Sequence, residues 1–241
     1  MKFSSLFSKK LTLMALIVIL IGTSYFCIIL KSHFMCRHLN NIAKIDNIKL
    51  LKSFIGSNPI IINKKFGILF NEGDLSIAHM VCSYHNLEGI EYLKNAGADF
   101  GSETTYGNTP LIILTKTKTL NGVNCIRSVL NSETVKKSSI NLPNRFGVSP
   151  ILTSIYYCQP AYLKAYLNVA IKDNLVVEKN DLLNVAIENL REKDESIEIV
   201  ELLLEAGASP NGKNNNGETA ITIAEKLGKT KFLNILTTKS P

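Results

Sequence analysis

Apolar positions along the chain recur at helical spacing in short runs, and each run is broken by a loop rich in Gly, Asn, Thr or Pro. The stretch Ser76–Leu114 shows the unit most fully: SIAHMVCSYHNLEGIEYLKNAGADFGSETTYGNTPLIIL. It predicts a helix, a tight turn, a second helix stopped by Gly97, an extended polar loop, and a new helix opened by Thr109-Pro110. A threonine oxygen caps a helix start, and proline suits the first helical position because its missing N–H has no intrahelical partner there. Glycine just past an apolar run supplies the positive φ that most helix stops require.

The same alternation predicts helix starts near Ser76, Thr109, Ser149, Asp181 and Thr219, every one a good N-cap residue type. Upstream, Ile48, Leu51 and Phe54-Ile55 stand at helical spacing before Asn58-Pro59, and with Phe34–Ala43 they predict a degenerate first helical pair. Lys64–Asp74 reads as a loop or hairpin. Leu190–Glu195 reads as a solvated charged insertion ahead of a helix at Ile197–Leu204.

These units resemble the ankyrin repeat, whose loop and first-helix pattern is D-x-x-G-x-T-P-L-H-x-A, followed by a second helix and A-G-A-D. The chain supplies T-x-x-G-x-T-P-L at Thr104–Leu111, A-G-A-D at Ala96–Asp99, Asn144-Arg-Phe-Gly147 before Ser149-Pro150, and A-G-A-S from Ala206. Ser76 and Thr109 are separated by the family's period of 33 residues. The resemblance implies an all-α, ankyrin-type helical repeat solenoid of six units, with repeats across 64–238 and a divergent first pair within 31–63. It also implies a structural role for His79, hydrogen-bonding between neighbouring loops. Ile112 takes that place in the next unit.

The amino terminus is of another kind. Leu11–Leu30 is twenty residues without a charge, preceded by a basic segment (1–10) holding Lys2, Lys9 and Lys10, and closed by Lys31. At about 1.5 Å per residue it spans roughly 30 Å, the thickness of a bilayer core. It predicts a single transmembrane helix. The alternative is a secretory signal cleaved near Ser24, but Phe26–Leu30 stays apolar past that point. Lys9-Lys10 favours the amino terminus inside and the repeats outside, on the periplasmic side of the inner membrane if the source is bacterial. Richness in Ile, Asn and Lys suggests an AT-rich, bacterial coding sequence.

Composition narrows the function. Setting the three early lysines aside leaves 24 basic against 20 acidic side chains, scattered along the chain, which is no nucleic-acid footprint. Five cysteines without paired spacing make no disulfide framework, and Cys82, Cys125 and Cys158 fall in helical patterns as small buried residues. His33, Cys36 and His38 lack a fourth metal ligand and read as a solvated flank of the anchor. No nucleophile elbow, phosphate loop or H-E-x-x-H pattern occurs, so no catalytic, cofactor or metal residues are expected.

Binding is the expected activity, because repeat stacks expose a broad face built from loop tips and first helices. Carried over position by position, the ankyrin pattern puts Glu72-Gly73, Thr105-Tyr106, Arg145-Phe146 and Asn215-Asn216 at the loop tips. The exposed ends of the first helices are Ser83-Tyr84, Lys116-Thr117, Tyr156-Tyr157, Glu188-Asn189 and Lys226-Leu227. Tyr84, Thr105, Tyr106, Arg145, Phe146, Tyr156 and Tyr157 form the candidate protein-binding set, since aromatic and Arg anchors dominate interfaces. The competing reading has Tyr156 or Tyr157 turned inward. The expected function is a membrane-tethered adaptor for an unidentified protein. A toxin-neutralising immunity-type protein and a host-directed effector are the alternatives.

Overall fold

The computed structural model describes residues 38–44, 48–66, 74–214 and 216–238, and among them the regular structure is helical. The Leu11–Leu30 segment, His33, Cys36, Glu72, Gly73 and Asn215 lie outside the described residues. Within them no helix is long and apolar enough to cross a membrane.

Residues 38–42 are helical and precede α1 (Ile48–Ser57), which buries Leu51 and Ile55. Four full pairs follow: α2 (Ile77–Ser83) with α3 (Leu87–Asn95), α4 (Pro110–Thr115) with α5 (Gly122–Leu130), α6 (Pro150–Tyr156) with α7 (Pro160–Lys172), and α8 (Lys179–Asn189) with α9 (Asp194–Glu205). A last pair, α10 (Ala220–Lys226) and α11 (Thr230–Thr238), closes the stack. Each first helix packs on the first helix of the next unit from α2 to α10, and second helices pack likewise from α3 to α9.

The first helices are too short to persist alone, since isolated helices under about 12–15 residues are marginal in water. Packing supplies what length does not. All six residues of α4, Pro110–Thr115, are buried, and so are Ile77–Cys82 of α2. A helix apolar on every side belongs between neighbours, and α4 lies between α2, α6 and its own partner α5. Each fully buried Leu or Ile contributes roughly 1.5–3 kcal/mol relative to exposure. The second helices are amphipathic instead: α3 buries Ile90 and Leu93 and leaves Glu88 in water.

Helix starts are capped as their residue types dictate. The hydroxyls of Thr109, Ser149 and Thr219 accept from the backbone N–H of Ile112, Leu152 and Thr222. Asp181 departs from expectation. The α8 N-cap is Glu178, and Asp181 lies inside the first turn, so α8 begins about one turn earlier than its counterparts. The extension holds because Asn180, in that added turn, accepts a hydrogen bond from Ser209 N–H through Oδ1 (2.8 Å).

The charged insertion is also smaller than expected and partly structural. α9 begins at Asp194, with Asp194 and Glu195 in its first turn, where carboxylates suit the helix dipole. Glu192 is not simply solvated: Oε1 accepts from Phe232 N–H at 2.8 Å in the first turn of α11. Lys229 binds the other way, donating to the carbonyls of Ile187, Glu188 (3.0 Å) and Leu190 (2.8 Å) at the end of α8.

One further difference comes from a turn. Cys158 is half-buried outside any helix, at φ 51° between α6 and α7, while Cys82 and Cys125 are buried inside helices as expected. His38 is exposed, as a solvated flank would be, and its ring packs edge-on to Phe54, ring centroids 5.2 Å apart.

Candidate protein-interaction surface

Three loop tips share one construction. Thr104 Oγ1 accepts from Tyr106 and Asn108 N–H; Asn144 Oδ1 accepts from Phe146 and Val148 N–H; Asn214 Oδ1 accepts from Asn216 and Glu218 N–H. One side-chain oxygen thus closes each tip on itself, the turn chemistry that Asx and Thr side chains provide. Gly107, Gly147 and Gly217 follow at φ 77–78°, where a Cβ is unfavourable.

Neighbouring tips are then joined. Arg145 N–H donates to the Tyr106 carbonyl (3.1 Å), and Asn144 Nδ2 donates to Asn108 Oδ1 (2.7 Å). With the backbone turned inward for these bonds, the side chains between them point out. Tyr106 and Phe146 form a tilted pair with ring centroids 6.0 Å apart. Phe146 is 70% exposed, Tyr106 40%, Tyr156 44% and Tyr157 49%. Neither Tyr156 nor Tyr157 has turned inward. Thr105 and Arg145 are exposed, and Tyr84 is half-buried with Lys44 Nζ 5.9 Å from its ring centre.

The structure therefore brings Tyr106, Arg145 and Phe146 together at adjacent tips. Tyr156 and Tyr157 stand at the far end of α6, seven residues and about 10 Å along the helix. Tyr84 occupies the corresponding end of α2.

Beneath the tips, His79 links units. Ser76 N–H donates to Nδ1 (3.2 Å), so Nδ1 is the acceptor and Nε2–H donates to the Asn108 carbonyl (3.0 Å). Burial, partly offset by the bond to Asn108, pulls its pKa down to about 4. The ring is neutral and structural.

At the opposite edge, sequence patterns give no hint of a second knot. The Tyr162 hydroxyl, on α7, donates to the Thr117 carbonyl (3.0 Å), accepts from Thr119 N–H (3.1 Å) and lies 3.4 Å from His85 Nε2. It holds the long turn between α4 and α5, and burial pushes the pKa of His85 down. Gly122 makes room: a Cβ there would stand 1.7 Å from the Tyr162 hydroxyl.

Short capped pairs stacked in register, joined by self-closed tips and a bridging histidine, make one known architecture. The fold is that of the ankyrin repeat. An ankyrin repeat domain of Acinetobacter baumannii superposes with TM-score 0.63 at 21% identity, covering 83% of this chain and 96% of that one. The ankyrin repeat protein EF0377 gives TM-score 0.61 at 19% identity over 83% of this chain and 94% of its own. A chain from the complex of the predatory endopeptidase Bd0816 of Bdellovibrio bacteriovorus with immunity protein Bd3460 also gives 0.61, at 15% identity, over 84% and 97%. No family model and no curated protein sequence matches the chain.

Proposed function

We propose that this chain is a non-enzymatic protein-binding module, tethered to a membrane through Leu11–Leu30, with its repeats on the periplasmic side of a bacterial inner membrane. It binds a partner protein across the loop tips and the exposed ends of the first helices. The observation that carries this reading is the row of exposed rings at Tyr106, Phe146, Tyr156 and Tyr157, the first two mounted on loop tips closed by Thr104 and Asn144 and the others at the end of α6. Aromatic anchors on a preorganised surface lose little entropy on docking.

A second reading, a toxin-neutralising immunity-type protein, draws on the likeness to the Bd0816–Bd3460 complex and uses the same face. Crosslinking pull-down with the triple variant Tyr106→Ala, Phe146→Ala, Tyr157→Ala tests the surface. The partner should be lost while the fold is kept; a folded triple variant that retains its partner undiminished removes this assignment. A reporter fused after Pro241 tests topology, and cytoplasmic signal would reverse the orientation.

A further inference from the structure

The fifth unit differs from the second at one register position, and the difference opens a cleft. Three residues after the Ser76 start, His79 spans from Ser76 N–H to the Asn108 carbonyl and satisfies both ring nitrogens. Three residues after Asp181, Asn184 occupies the corresponding place with a shorter side chain. It is 3% exposed, yet its one hydrogen bond, Nδ2 to the Gly212 carbonyl, is long at 3.4 Å, and Oδ1 has no partner. The added turn of α8 also converts Asp181 from a cap into an exposed helical residue.

The result is a cleft of about 280 Å³ lined by Asp181, Asn184, Val185, Glu188, Asn214 and Asn216. Asp181, Asn184 and Glu188 recur at helical spacing on one face of α8, which puts the two carboxylates about 10 Å apart along the axis with the amide between them. Both are exposed, and neither has an ion-pair partner among the described residues. Lys229 lies beside Glu188, but its donors are occupied by the α8 carbonyls.

We infer that this cleft receives an arginine side chain from the partner protein, donating to Asp181 or Glu188 at its mouth and to the Asn184 amide oxygen at its floor. This rests on the protein-binding reading above and specifies the partner's chemistry. The buried polar atom without a mate here, Asn184 Oδ1, is an acceptor, and the charged groups on this face of α8 are both carboxylates, so the complement is a donor with positive charge. Carboxylates seven residues apart cannot close on one compact ion, and no group of three His, Cys, Asp or Glu side chains able to hold a metal occurs among the described residues. A guanidinium carries five donors in a planar fork on an extended stem, so it is held at more than one point. The long bond to Gly212 lets the Asn184 amide turn toward an entering donor. Glu188 also holds the helix position that Tyr156 holds on α6, the neighbouring first helix, so one basic and apolar segment spans both.

Saturation-transfer NMR on the full chain in detergent micelles, with N-acetyl-arginine amide as probe and N-acetyl-citrulline amide as its uncharged isostere, tests this. Transfer to the arginine side-chain methylenes is expected, and none to citrulline. Asn184→His refills the cleft, and Asp181→Asn with Glu188→Gln removes its charge. Each should raise the half-saturating concentration about tenfold or more, the loss expected for one charge-assisted bond. Thermal melts establish that the variants fold; should Asn184→His not, the carboxylate pair decides. Equal binding by wild type and the carboxylate variant, or equal binding of citrulline, overturns the inference. Those outcomes leave the protein-binding reading intact if the aromatic triple variant still loses its partner. A triple variant that keeps its partner removes that reading without touching the cleft measurement.

Discussion

Lowering the pH should destabilise this fold before its carboxylates titrate, and His79 sets the size of the effect. In the folded chain its pKa is about 4 against 6.5 for a free imidazole, chiefly because burial penalises the cation. The hydrogen bonds agree: protonating Nδ1 would turn an N–H against Ser76 N–H, which now donates to it. The folded state is thus slow to take up a proton that the unfolded chain accepts below pH 6.5. Stability is complete above pH 6.5, is lost as pH falls toward 4, and levels off below. Linkage gives a loss of about 2 kcal/mol at pH 5 and about 3 kcal/mol near pH 4 from this residue. His85, whose pKa burial also depresses, adds loss of the same sign. Urea unfolding of the chain between pH 7.5 and 5, compared with His79→Gln, measures it. The variant should be less stable at pH 7.5 by about 1–3 kcal/mol, because the Asn108 carbonyl and Ser76 N–H lose well-placed partners. Its stability should fall less steeply with acid. Parallel curves for variant and wild type would refute the reasoning.

Gly122→Ala forces the Tyr162 ring away from the turn between α4 and α5 and should cost about 1–3 kcal/mol by denaturant melts. Gly147→Ala meets no neighbouring atom within 4 Å, so it isolates the backbone cost of φ 78°; about 1–2 kcal/mol is expected in the same assay. Glu192→Ala and Lys229→Met should each loosen the last pair, seen as faster hydrogen exchange in α11 for the first and at the end of α8 for the second. Phe146→Ala should leave stability within about 0.5 kcal/mol while weakening partner capture, because its ring is mostly in water.

Much of the architecture could be read before any coordinates, and the reason is local. Thr109-Pro110 and Ser149-Pro150 carry both cap and first-turn chemistry in two letters, and Gly97 and Gly207 mark stops at φ 83° and 92°. What escaped notice depends on contacts between distant residues. Tyr162 reaches back more than forty positions to Thr117 and Thr119, and only that approach explains a glycine at 122. Asp181 looked like a cap because caps favour its side chain, but the Asn180–Ser209 bond across units secures an earlier turn. Glu192 sat in a charged run, where a partner on α11 leaves no local trace. The exposed rings followed from the ankyrin resemblance, with an inward Tyr156 or Tyr157 left open; the α8 cleft did not, since it follows from the shifted start and from how Asn184 fails to reach what His79 reaches.

Fold and surface are largely separable at the loop tips, and this is why the tips suit recognition. At each tip the turn is closed by Thr104, Asn144 or Asn214 and by a glycine at positive φ, and at the first two the ring residues Tyr106 and Phe146 give the turn only their backbone. The side chains of Tyr106, Arg145 and Phe146 are therefore free to change without disturbing the stack, whereas Thr105 Oγ1 also accepts a long bond from Asp74 N–H (3.4 Å). The converse holds one residue away. Asn144 bonds its own loop and also donates to Asn108, so Asn144→Ala strands two backbone N–H groups and an inter-unit bond together. Because these are partly exposed, water recovers some of the loss, and about 1–2 kcal/mol is expected from denaturant unfolding. A double variant of Asn144 with Asn108 should cost less than the two single effects added, since both remove the same contact. Strict additivity would mean that the Asn144–Asn108 contact adds nothing, leaving the Arg145 N–H to Tyr106 carbonyl bond as what joins these tips.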